Sequence, residues 1–171
     1  MNKHGIKYKI KSKNGFSLTE TLTTLIIMSF VGIMITSGMA TAMRVYKQVT
    51  EYARAQILYS TAYILINDDL IYADPTSVVP KNTESKAISF DNMNKVSETL
   101  KSTDTKGITR SFKTNEEFPI VTYEHNEDFH TEWDSIKFNG EYFIIKNFAV
   151  KNNNENYINV DEIKIKPLKL K

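Results

Sequence analysis

Glu20 stands at the head of a run, residues 21–43, that carries no charged side chain. A carboxylate there can do two kinds of chemistry. It can accept hydrogen bonds at a helix start, or it can hold an ammonium group in low dielectric. Left unpaired beside hydrocarbon it is costly. A second candidate set is His125 and His130, an H-x4-H pair with Glu124 and Glu132 beside them. Imidazoles can ligate zinc, but this spacing puts the pair on opposite faces of a strand, so a solvated acidic loop is expected. Asn152-Asn153-Asn154-Glu155 has the composition of a calcium loop without its central glycine or terminal glutamate. No P-loop, dinucleotide fingerprint, nucleophile elbow or His-Glu-x-x-His occurs. The residues point to no enzyme, no cofactor and no metal site.

The elements that position these groups separate by composition. Residues 1–15 hold Lys3, Lys7, Lys9, Lys11 and Lys13 and no acid, which leaves 17 basic and 20 acidic side chains in the rest of the 171-residue chain. A basic head before an apolar run orients a membrane segment with its N-terminus in the cytoplasm. The 23 residues from 21 to 43 are enough to span a bilayer as a helix. Cysteine is absent, so no disulfide framework braces the chain beyond that helix.

From residue 44 the pattern turns amphipathic. Val45, Val49, Tyr52, Tyr59, Tyr63, Ile66 and Leu70 recur at helical spacing, with Arg44, Lys47, Glu51 and Arg54 as a polar stripe. No proline or glycine interrupts residues 39–74, so one helix is expected to run through both halves and stop at Asp74-Pro75. About 56 residues at about 1.5 Å each make it roughly 85 Å long. Its uncharged stretch 55–67 is too short to span a membrane and reads as a buried core helix. Strands are expected at 87–90, 108–112, 120–123, 136–138, 142–150 and 157–165, with polar loops at 75–86 and 92–107. Asn139-Gly140 signals a hairpin. The fold class is α+β, an antiparallel sheet laid on the C-terminal half of a long helix. The organisation is a leader (1–15), a transmembrane or assembly helix (16–43), its amphipathic continuation (44–74) and a β-rich region (75–171).

Ser17-Leu18-Thr19-Glu20 matches S-x-x-E, a capping box, and the helix dipole favours an acid in the first turn. Capping does not account for the Gly15-Phe16 pair just before it, or for the basic leader ending there. Gly15-Phe16-Ser17-Leu18-Thr19-Glu20 resembles the class III signal of type IV prepilins and pseudopilins. The resemblance is specific over about residues 11–45 and architectural beyond. It implies a membrane peptidase that cuts after Gly15, N-methylation of the new N-terminus on Phe16, and an assembly role for Glu20. In that role Glu20 of an incoming subunit pairs with the Phe16 amine of its neighbour, and such a pair sets register more surely than it adds stability. The fold implied is pilin-like.

Ser37 stands where many major pilins carry proline, and no cysteine pair lies near the C-terminus, so the chain looks more like a minor pilin or pseudopilin. The resemblance implies other pilin subunits, a prepilin peptidase, the membrane and a fibre assembly machinery as partners. It places the chain in the cytoplasmic membrane, single-pass, and in an extracellular pilus or pseudopilus after assembly. Two rival readings stay open. Ala40-Thr41-Ala42 fits ordinary secretory cleavage, against which stand the long uncharged run and Glu20; an uncut single-pass anchor carrying an extracellular binding protein is the other. Residues 116–134 carry seven acids and no lysine or arginine, while 75–115 and 135–171 are each net +3. Opposed patches could guide docking, or be solvated surface. The lysine-rich tail 164–171 could touch nucleic acid in a competence pilus, but reads first as an edge strand guarded against aggregation.

Overall fold

The computed structural model describes residues 17–103, 106–112, 116–121, 129–152 and 155–168. The chain is α+β: helix α1, Leu18–Ile71, is followed, among the described residues, by eight antiparallel strands. It divides into two units, Met1–Lys47 and Gln48–Lys171. In the first, α1 is unbroken through Gly32, Ser37 and Gly38, and its large apolar side chains from Leu18 to Met43 are exposed.

In the second unit the strands form two sheets. Strands β1 (Ala87–Asp91), β2 (Ser97–Thr103), β3 (Gly107–Phe112) and β4 (Glu117–Pro119) lie in that order in sheet 1. In sheet 2, β7 (Phe143–Asn152) is central. Along one edge it pairs with β5 (Phe129–Glu132) and β6 (Ser135–Phe138) in succession, and along the other with β8 (Glu155–Ile165). The break between β5 and β6 falls at Trp133-Asp134, opposite Asn147, whose φ is 50°.

The helix contributes Ala55, Leu58, Ala62, Ile66 and Leu70 to the core. This corrects the face expected from the sequence, of which only Ile66 and Leu70 are buried, with Tyr59 half-buried against Phe148 at 5.6 Å between ring centroids. Val45, Val49, Tyr52 and Tyr63 are exposed. The physical reason is size: alanines at 55 and 62 let the sheets approach the helix, whereas tyrosines there would hold them off. Helix α1 also stops at Ile71, short of Asp74-Pro75, because Ala73 already pairs with Asn92 beside sheet 1.

Two loop expectations are overturned. Residues 92–107 contain β2, which is held between β1 and β3. Segment 75–86 holds no helix or strand, as expected of a loop, and joins the sheets through isolated backbone bridges: Val79 pairs with Ser89 of β1, and Lys81 and Ser85 pair with Phe138 and Ile136 of β6. His130 lies in strand β5, whose Phe129 and Thr131 are buried, and not in a solvated loop. Of the strand expected at 120–123, residues 120 and 121 follow strand β4 (Glu117–Pro119) outside any strand, and 122–123 lie outside the described residues. The hairpin at Asn139-Gly140 forms, with Gly140 at φ 95° and Asn139 Oδ1 accepting from the Glu141 and Tyr142 amides.

Sheets 1 and 2 meet closely at Gly107, which has φ 70° and whose missing Cβ would sit 2.9 Å from the Thr131 carbonyl oxygen. Gly107→Ala should therefore destabilise this unit by about 1–3 kcal/mol from the left-handed backbone alone, with the contact adding to it. Denaturant titration of the folded chain in micelles measures this. An unchanged midpoint would mean that β3 and β5 separate without cost.

Candidate functional site

The start of α1 is built from backbone and hydroxyl groups. The Ser17 carbonyl accepts the Glu20 amide at 2.9 Å and the Thr21 amide at 3.1 Å. The Ser17 hydroxyl is hydrogen-bonded to Thr19 Oγ1 at 2.7 Å, so it is not spent on the Glu20 amide as a capping box requires. Glu20 is exposed in the first turn, where the dipole favours it, and its carboxylate has no partner among the described residues. Gly15 and Phe16, the sites of cutting and methylation expected from the sequence, lie outside the described residues.

Beyond Glu20 every side-chain hydroxyl in residues 21–43 is satisfied within the helix. Thr23, Thr24, Ser29, Thr36 and Thr41 each donate to the carbonyl four residues earlier, at 2.8–2.9 Å. Thr21 and Ser37 donate to the carbonyl three residues earlier, at 2.9 and 3.0 Å. Back-bonding of this kind hides polar groups from an apolar surrounding. This is the one helix among the described residues long and apolar enough to cross a membrane, and its most apolar window is wholly exposed. Glu20 is thus the lone unmet polar side chain at the head of a surface that otherwise presents only hydrocarbon.

Further along, within the second unit, Ile57 and Ile64 are 60% and 62% exposed although they lie in the uncharged stretch. Seven residues apart, they share a helix face that the sheets do not cover. The apolar stretch is evident from the sequence, but its outward face was missed; the signal was two isoleucines at heptad spacing out of phase with Leu58 and Ile66.

The other candidates separate. His130 Nε2 lies 3.7 Å from Glu132 Oε2, and Glu132 also bridges Lys151 on β7. His125 and Glu124 lie outside the described residues. Asn152 closes β7 and is paired with Glu155, which opens β8; Asn153 and Asn154 lie outside the described residues. Among the described residues no group of three His, Asp or Glu side chains could hold a metal ion. In the tail, Lys164 and Lys166 are paired with Glu162 and Glu141 at 2.7 and 2.8 Å. The Leu168 amide donates to the Ile71 carbonyl at 2.9 Å. Comparison with family models, curated proteins and solved structures finds no match to this chain.

Proposed function

We propose that the chain is a structural subunit, a minor pilin or pseudopilin, of a type IV pilus-like, secretion or competence fibre. It is inserted as a prepilin with its N-terminus in the cytoplasm, cut after Gly15, methylated on Phe16, and drawn into the fibre by its N-terminal helix. It works with other pilin subunits, a prepilin peptidase and an assembly machinery, and performs no catalysis of its own. The observation that carries this reading is Glu20: a single unmet carboxylate, in register behind Lys13, Gly15 and Phe16, at the head of a helical stretch, residues 21–43, whose hydroxyls are all internally satisfied. In a plain anchor that charge would serve only as a dipole-favoured acid in the first turn. An ordinary secretory cut is disfavoured because α1 runs through Ala40-Thr41-Ala42 without a break, and peptidases act on extended backbone.

In the fibre, the Phe16 amine of one subunit supplies the cation that Glu20 lacks. Glu20→Gln keeps size and hydrogen bonding and removes the charge. Insertion and the β-rich fold should survive. Incorporation should drop by about tenfold or more, since breaking a buried ion pair costs about 3–5 kcal/mol. Quantifying the variant in sheared fibres against membranes tests this; normal incorporation would reduce Glu20 to a dipole-favoured acid at a helix start.

A further inference from the structure

The last turn of α1 contains Asp68 and Asp69 and no basic residue, so its two acids sit against the negative end of the helix dipole. Asp69 faces sheet 1. Its Oδ1 accepts from Arg110 Nη1 of β3 at 3.1 Å, while Oδ2 is buried with no hydrogen-bond partner. From β2, buried Glu98 faces the same place, held by Asn92 Nδ2 at 2.6 Å. Asp68, Asp69, Tyr72, Asn92 and Glu98 line one cavity of about 220 Å³. Asp68 and Glu98 therefore bring two further carboxylates to Asp69, whose ion-pair partner among the described residues is Arg110 of β3. The charges do not balance, and one oxygen is stranded.

We infer that this junction is a pH-sensitive latch: a proton taken up by Asp69 fastens the last turn of α1 to sheet 1 in mildly acidic solution, and its loss loosens that attachment toward neutral pH. A proton on Oδ2 turns a stranded acceptor into a donor, removes one of three like charges, and leaves Oδ1 free to keep Arg110. The energetics have the required sign. Burial, chiefly, raises the Asp69 pKa from 3.8 to about 6, with Arg110 opposing and Glu98 and Asp68 adding to the rise. When the junction opens, Asp69 returns to the ordinary value. The closed form thus binds the proton more tightly, so closure gains as pH falls through 6, saturates below about 3.8, and loses this support above 6. On the proposed topology, the reading that supplies the setting but not the geometry, the cluster lies outside the cytoplasm, where pH follows the medium.

Amide hydrogen exchange of the full-length chain in detergent micelles, corrected for intrinsic rates, reads the latch. Amides at 66–74 and 92–98 should be about tenfold better protected near pH 5 than near pH 7.5, as one unit of linked protonation supplies. Amides of β7 serve as an internal reference that moves much less. Asp69→Asn should be as protected near pH 7.5 as the wild type near pH 5, and flat between them; Glu98→Gln should lower the midpoint. Equal wild-type protection at both pH values, or a pH dependence that survives in Asp69→Asn, would overturn the latch. Should the asparagine variant fail to fold, the carboxyl carbon of wild-type Asp69 decides by NMR: a midpoint near 6 supports the latch and one at or below 4 overturns it. None of these readouts depends on fibre assembly, so the latch and the pilin reading fail separately.

Discussion

Trp133→Ala is expected to remove about 3–5 kcal/mol from the β-rich unit, about a fifth or more of the roughly 5–15 kcal/mol that holds a typical domain. Trp133 is 1% exposed and is the largest fully buried side chain. It occupies the break between β5 and β6, and its backbone amide donates to Ser102 Oγ at 3.0 Å, which ties sheet 2 to β2 of sheet 1. Its indole Nε1 donates to the Lys86 carbonyl at 3.1 Å, which ties it to the bridging segment as well. That carbonyl keeps the Ser102 amide at 2.9 Å when the indole is gone, so the loss is mainly packed volume. Trp133→Phe, which retains most of the ring, should cost much less, with the indole hydrogen bond worth about 1 kcal/mol. Because Trp133 is the one tryptophan, its fluorescence reports wild-type unfolding, and circular dichroism must track the variants. A variant with wild-type stability would mean that the two sheets do not share this core.

Gly15→Val should have the largest effect on assembly. On the proposed reading, a β-branched side chain at Gly15 would leave residues 1–15 with their five lysines attached and would prevent the free Phe16 amine from forming. Without that amine Glu20 has no cation to pair with, so the sheared-fibre fraction should be empty while the membrane fraction is full. The β-rich unit, which begins at Gln48, should unfold at the same denaturant concentration as in the wild type. Fibre incorporation of the uncut variant would separate assembly from processing and remove the amine from the account.

Much of this was legible in the sequence, for reasons that can be named. The long helix arises from an uncharged run that meets an amphipathic one with no breaker between them. Strands β1, β3, β6, β7 and β8 carry enough large apolar residues to announce themselves. Strand β2, Ser-Glu-Thr-Leu-Lys-Ser-Thr, has one large apolar residue, Leu100. It is a strand because β1 and β3 flank it, and its buried Glu98 and Ser102 find partners in Asn92 and Trp133. Strand β5 was hidden by the acids around it. The buried helix face was misjudged because tyrosines weigh heavily in an apolar pattern, whereas Ala55 and Ala62 decide how near a sheet can come. Asp69 reads as surface in any pattern of charges, and only Arg110, forty-one residues on, reveals it as a junction. Glu20 was legible in type and place; the partner proposed for it belongs to a second copy of the chain.

The most direct test of the pilin reading is the intact mass of the wild-type protein extracted from membranes of cells that make the fibre. The account predicts a chain that begins at Phe16 and carries one methyl group on its N-terminal amine. A chain that still bears residues 1–15, or one that begins at Met43 after an ordinary secretory cut, would contradict it.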